Sequence, residues 1–273
     1  MARNIYGLDL GSYEIKVYDK KKDTIWKEKD VIAIADKKEI FAVGDDAYEM
    51  YEKAPSNIEV VFPMKEGVIS RFNNMQFLLQ NLLKKDRQFA RGSEYVIAVP
   101  TDVTEVEKKA FFDLVIHSTA RAREVNIVER SIADAVGLNL DVKNTGGLFI
   151  FGGETTELSV LAGGGMVMNR LLKIGGVSFD QAVVNLVRHS HDFLIGRLTA
   201  EVLRKNFGIF TSDSESVLTV AGRDLITGVP MQKPISISLV RAAMKDPLLE
   251  CVRAIHSLLD RTPPEVRRAI HEN

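Results

Sequence analysis

Short apolar runs broken by polar turns open the chain. Residues 4–10 and 14–18 read as two strands joined at Gly11, and Asp19-Lys-Lys-Lys-Asp23 forms a polar hairpin tip. Further strands are expected at 24–26, 31–34 and 40–43, so the first 43 residues form a β-meander. The pattern then lengthens. A short helix is expected over 45–53 and an extended segment, broken by Pro63 and Gly67, over 60–69. Met75, Leu78, Leu79, Leu82 and Leu83 fall at helical spacing within 73–85. Residues 95–99 read as a buried strand stopped by Pro100. Asp102 or Thr104 caps the helix that follows, over 105–120. A strand at 125–128 and a helix over 131–138 complete this half.

After the hinge-like Lys143-Asn-Thr-Gly-Gly147 the pattern starts again. Leu148-Phe-Ile-Phe151 is a buried strand, Gly152-Gly153 a sharp turn, 158–161 a second strand, and Gly163-Gly-Gly165 leads into a third at 167–173. Helices are expected over 179–189 and 199–207, a strand at 217–221, and a helix from 237 to 253 or beyond, interrupted near Pro247. Pro263-Pro264 opens a last short helix. The class is α/β, with a glycine-turned meander occurring twice.

Composition changes this picture little. At 45% hydrophobic and 27% charged, the 273 residues suit one large or two modest globular domains. Lysine and arginine (36) balance aspartate and glutamate (37), which argues against a nucleic-acid partner. The lysine-rich tip at 20–22 reads as a solvated turn. One cysteine, Cys251, excludes an internal disulfide and reads as a buried apolar residue. No stretch is long and apolar enough for a transmembrane helix, and the N-terminus lacks the apolar core of a secretory signal. The expected location is the cytoplasm, with or without contact at the inner membrane face.

The candidate chemistry lies in the glycine turns. Glycines let backbone N–H groups crowd towards an anion, and Ser12, Thr155 and Thr156 offer hydroxyls beside them. Two such turns, one from each half, suit a nucleotide held between them. Glu154 is the misfit, a carboxylate where phosphate should come closest. His189 and His191, two residues apart, point to different helix faces and do not make a metal site.

Several of these stretches carry a family resemblance. Asp9-Leu-Gly-Ser12, Phe62-Pro-Met-Lys-Glu-Gly-Val-Ile69, Val99-Pro-Thr-Asp-Val-Thr-Glu-Val-Glu107, Gly152-Gly-Glu-Thr-Thr-Glu157 and Thr262-Pro-Pro-Glu265 fall in order along the whole chain. They resemble the MreB family, the bacterial actin homologues that determine rod shape. The resemblance implies an actin-like, ribonuclease H-like duplicated two-lobe ATPase fold. Its first lobe would span 1–144 with a small-subdomain insertion at about 31–72, and its second 145–273 with an insertion at about 180–242. It implies ATP and Mg²⁺ in the cleft, and self-association into filaments at the membrane or co-polymerisation with a full-length paralogue. The Pro-Pro-Glu helix is followed in the family by a Gly-Gly-Gly loop, absent here, so the second lobe is expected to be incomplete at the C-terminus. The competing class is an ATPase of the wider actin, chaperone and sugar-kinase superfamily that forms no filament.

Carried over by position, the implied nucleotide contacts are Asp9, Gly11, Ser12, Tyr13, Gly152, Gly153, Glu154, Thr155, Glu201 and Arg204, with Asp9 on the metal side. Three departures bear on catalysis. The second loop of the family begins with aspartate and has a third glycine; Ile150 and Glu154 stand there. The glutamate that orients the attacking water is replaced by Arg130, whose guanidinium cannot act as a base at neutral pH. No catalytic residue is therefore assigned, and weak or lost ATP hydrolysis is expected. Arg130 and Glu154, of opposite sign, are expected to pair across the phosphate site. A weak membrane contact is expected through Phe89, flanked by Arg87 and Arg91.

Overall fold

The structure is a computed structural model describing residues 4–85, 92–118, 121–141, 143–206 and 216–272; the side chains of Lys84 and Lys85 are not described. The chain forms two compact units, Met1–Leu171 with Thr262–Asn273, and Leu172–Arg261. That division falls at a different place from the lobe boundary expected at 144/145.

The first unit opens with β1 (Ile5–Leu10), β2 (Glu14–Asp19) and β3 (Thr24–Lys29), an antiparallel meander. Alternate residues Tyr6, Leu8 and Leu10 of β1, and Ile15 and Val17 of β2, are buried on one face. Asp19 closes the polar tip, its carboxylate accepting the Lys21 and Lys22 N–H groups. A small sheet follows, built from β4 (Ile32–Ala35), β5 (Glu39–Val43) and β6 (Ile58–Val61), with the short helix α1 (Asp45–Glu49) between β5 and β6. The segment expected to be simply extended instead folds back on itself, as β7 (Met64–Lys65) and β8 (Val68–Ile69). Gly67 turns that hairpin with a positive φ of 85°.

Next come α2 (Phe72–Lys85), β9 (Glu94–Val99), α3 (Glu105–Ile116), β10 (Glu124–Glu129) and α4 (Arg130–Gly137). Strands β9 and β10 extend the first meander in parallel, giving the order β10-β9-β1-β2-β3. Helices α2 and α3 cover its buried face, where Met75, Leu78, Leu79, Phe111 and Leu114 meet Leu8, Ile97 and Val99. Each large aliphatic side chain buried there contributes about 1.5–3 kcal/mol. Thr104, not Asp102, caps α3: its hydroxyl accepts the Glu107 N–H while the Glu107 carboxylate accepts the Thr104 N–H. A second meander, β11 (Gly146–Phe151), β12 (Thr156–Ala162) and β13 (Gly165–Leu172), completes the unit together with the last helix in the chain.

The second unit holds α5 (Gly176–His191), β14 (Phe193–Leu194), α6 (Arg197–Asn206), β15 (Val217–Asp224), β16 (Pro230–Ser236) and α7 (Ile237–Arg261). Three elements here depart from the sequence expectation, the two-residue strand β14 among them. Strand β16 was hidden by Pro230 and Pro234, which a sheet tolerates at an edge; in the order β14-β15-β16 it is an edge strand. Helix α7 runs through Pro247 without interruption. One backbone hydrogen bond is lost there, and buried Met244 and Cys251 on either side anchor both halves. The last helix, α8 (Pro264–Glu272), belongs to the first unit and packs on β11.

Candidate functional site

The site is a cavity of about 340 Å³ within the first unit, formed where three turns meet. The turn between β1 and β2 begins at Gly11, and a Cβ there would lie 2.8 Å from the Glu14 carbonyl oxygen. The turn between β11 and β12 begins at Gly152, and a Cβ there would lie 2.8 Å from the Thr155 carbonyl oxygen. Both turns bring the carbonyl oxygen three residues on against the glycine, and both require glycine at that place. They also touch each other: a Cβ on Gly153 would come within 2.5 Å of the Tyr13 Cβ. The Tyr13 ring meets Tyr48 edge-on and lies under the Lys29 ammonium, 4.0 Å from its centroid.

The third turn is the β7–β8 hairpin, held by side chains from three other segments. Ser12 Oγ accepts the Gly67 N–H at 3.0 Å, and Glu154 Oε2 accepts the Glu66 N–H at 2.6 Å. Asp30 Oδ2 accepts the Met64 N–H at 2.9 Å. Burial pushes the Asp30 carboxyl up to about 7; the bond from Met64 opposes this and the charge on Glu154 adds to it.

Five carboxylates (Asp9, Glu14, Asp134, Glu154, Glu157) and two cations (Lys16, Arg130) line the cavity. The strand register places Lys16 directly opposite Asp9, and its ammonium sits 2.8 Å from Asp9 Oδ2. Arg130, first residue of α4, puts Nε 3.4 Å from Asp9 Oδ1 and donates from Nη1 to Glu157 Oε1 at 3.0 Å. Its Nη2 donates to the Leu10 carbonyl at 3.4 Å. Burial raises the Glu157 carboxyl, against the pull of the Arg130 charge. Asp134, one helical turn after Arg130, is likewise raised by burial, with the Arg130 charge opposing. Its Oδ2 has no hydrogen-bond partner among the described residues.

Eight of the expected contacts converge on this cavity: Asp9, Gly11, Ser12, Tyr13, Gly152, Gly153, Glu154 and Thr155. Ile150 and Arg130 line it too. The expected Arg130–Glu154 pair does not form. Asp9 and Glu157 hold the guanidinium, and Glu154 is turned to a backbone N–H on the hairpin. Glu201 and Arg204 lie on α6 in the second unit, where Arg204 Nε donates to Asp180 Oδ1 at 2.6 Å and Glu201 pairs with Lys205. Phe89, Arg87 and Arg91 fall outside the described residues.

Sequence reasoning missed Lys16, Asp30 and Asp134. Lys16 was within reach, because counting back through a tight β1–β2 turn sets it opposite Asp9. Asp134 is four residues after Arg130, the spacing of facing side chains on a helix. Asp30 carried no signal, since its role depends on where the β7–β8 hairpin folds.

These residues do not fit the Mg²⁺ of a metal-bound nucleotide. Both carboxylate oxygens of Asp9 already face a cation. The Gly152 N–H is turned inward to the Thr155 carbonyl at 2.8 Å. An added negative charge at 4 Å from one of the carboxylates is repelled by about 1 to 4 kcal/mol, depending on solvent access.

Comparison with known proteins places this geometry. A family model described as MreB/Mbl protein matches residues 3–273. The cell shape-determining protein MreB of Escherichia coli (strain K12) is 34% identical over 283 residues, covering 100% of this chain and 81% of the relative. The cell shape-determining protein Mbl of Bacillus subtilis (strain 168) is 29% identical over 272 residues, covering 97% and 80%. Among solved structures, MreB 5 of Spiroplasma citri bound to AMPPNP superposes with a TM-score of 0.92 at 26% identity, covering 98% of this chain and 82% of that one. The MamK double helical filament matches in fold, with a TM-score of 0.81 at 20% identity, covering 100% and 84%.

Proposed function

The chain belongs to the MreB/Mbl family of actin-like, cell shape-determining cytoskeletal proteins, and from that premise we propose that it is a filament subunit whose assembly no longer depends on ATP hydrolysis. Nucleotide binding comes to it by family, through relatives solved with AMPPNP and ADP. In this chain that binding is weak and the hydrolytic step is lost. The observation that carries this reading is the position of Arg130. The residue standing where relatives orient water is a guanidinium held by Asp9 and Glu157, and it can take no proton from water. Ile150 and Glu154 support the same conclusion, the first by supplying no carboxylate and the second by adding a negative charge to the cavity wall.

The subunit works in the cytoplasm, as the family does, and assembles with its own copies or with a paralogue. Contact with the inner membrane face would run through Phe89, with Arg87 and Arg91 attracted to anionic headgroups.

Sedimentation of the purified protein with ATP, with ADP and without nucleotide tests the reading, with phosphate release followed in parallel. The expected result is equal pelleting in all three conditions and release at the level of buffer. Pelleting that requires ATP, with steady release of phosphate, overturns it. A protein that turns over ATP and never pellets would instead belong with the non-filamentous ATPases of the superfamily.

A further inference from the structure

We propose that Arg130 is a protein-borne substitute for a divalent cation, so that the carboxylates of this cavity are neutralised and held in place without metal. The inference rests on reading the cavity as an altered nucleotide site, but not on filament formation. Asp9 and Glu157 come from β1 and β12, strands of two different sheets. One guanidinium reaches both, Nε facing Asp9 Oδ1 at 3.4 Å and Nη1 donating to Glu157 Oε1 at 3.0 Å, with Nη2 on the Leu10 carbonyl. Bridging carboxylates of separate elements from one positive centre is what a bound hard cation does with oxygen ligands. The Arg130 side chain is 13% exposed and Glu157 3% exposed, so bulk water and salt do little of this work. The second oxygen of Asp9 is taken by Lys16 at 2.8 Å. A metal ion approaching Asp9 therefore meets a positive charge beside each carboxylate oxygen.

Glutamate is the residue that the family resemblance places at position 130. With a carboxylate there, Asp9, Asp134 and Glu157 would share one small volume with Lys16 as the nearby cation, an arrangement that calls for an external cation. With arginine the same volume supplies its own. The requirement for metal is thus set by the sign of one side chain.

The test is thermal unfolding of wild-type protein, Arg130→Gln and Arg130→Glu, each in EDTA and in millimolar Mg²⁺. The wild type should melt at the same temperature in both. Both variants should melt lower in EDTA, and Mg²⁺ should raise them by about 3 °C or more, as expected for a ligand that binds only the folded state. Adding Asp9→Asn to Arg130→Gln should abolish that recovery. If the variants melt alike with and without Mg²⁺, the proposal is wrong. Titration of wild-type protein with Mn²⁺, read by electron paramagnetic resonance, decides the case in which neither variant folds. Absence of a bound signal supports a built-in cation, and a tight site lost in Asp9→Asn overturns it. Nucleotide-dependent pelleting would sink the proposed function without touching these melts.

Discussion

Glu154 and Glu66 meet through a single hydrogen bond, the carboxylate Oε2 of one accepting the backbone N–H of the other at 2.6 Å. It ties the turn that departs most from the family pattern to the hairpin at Met64–Ile69. Replacing Glu154 with glycine, the residue the family resemblance places there, removes this tie and should cost about 1.5–3 kcal/mol, the range for a hydrogen bond to a charged group. Amide exchange at Glu66 should quicken, while exchange in β1 and β9 stays unchanged. Unaltered protection at Glu66 would show that the bond holds nothing.

Asp30 gives stability a pH dependence of unusual sign for a carboxylate. Its folded pKa is raised to about 7, so the native state keeps a proton that the unfolded chain has released above about pH 4. More protons are bound when folded, and stability therefore falls as pH rises from about 4 to about 7, by up to about 1.4 kcal/mol per unit, then levels off. The raised carboxyls of Asp134 and Glu157 act in the same direction. Asp30→Asn should flatten most of this slope. Urea midpoints measured from about pH 5 to about pH 8 check it, and parallel curves for the two proteins would count against the assignment.

The two ion pairs on Asp9 should differ sharply in worth. The Lys16 and Asp9 side chains are 42% and 35% exposed, and Lys16→Ala should cost less than about 1 kcal/mol. Arg130→Ala strands the buried Glu157 carboxylate and should cost about 3 kcal/mol or more. Adding Glu157→Gln should recover part of that loss, because no uncompensated charge then remains. Denaturant midpoints of the four proteins order these effects.

Gly153 and Tyr13 form a steric pair. Gly153→Ala sets a methyl within 2.5 Å of the Tyr13 Cβ and should destabilise the protein by about 1–3 kcal/mol. Tyr13→Gly in the same chain should relieve most of the clash, although it gives up the ring contacts with Tyr48 and Lys29. A double-mutant cycle with no coupling would mean that the two turns separate freely.

Much of this molecule is legible from its apolar pattern. The β1–β3 meander, the helix at Phe72–Lys85 and both glycine turns follow from spacing and local turn chemistry, whereas β4 and β5, expected to continue that meander, form a separate sheet with β6. Elements whose local signal conflicts with their tertiary setting do not. Strand β16 carries two prolines that only an edge position excuses, and α7 carries one that flanking burial overrides. Within the site, residue identities were readable and pairings were not. Opposite charges at Arg130 and Glu154 suggested a partnership, but Asp9 and Glu157 were nearer the guanidinium and a backbone donor was nearer Glu154. Complementary charge in a sequence names candidates, and only distance chooses among them.

The matched turns at Gly11 and Gly152 bear on how such sites are recognised. Each glycine faces a carbonyl oxygen of its own turn at a distance that no side chain would permit. Backbone closure alone is enough to demand them, whether or not anything binds nearby. A glycine signature of this kind is thus a marker of chain path, and by itself it reports no reaction beside it. Searches for working members of such a family should weigh the charged positions around the turn, where a single change of sign alters the chemistry and leaves the fold intact.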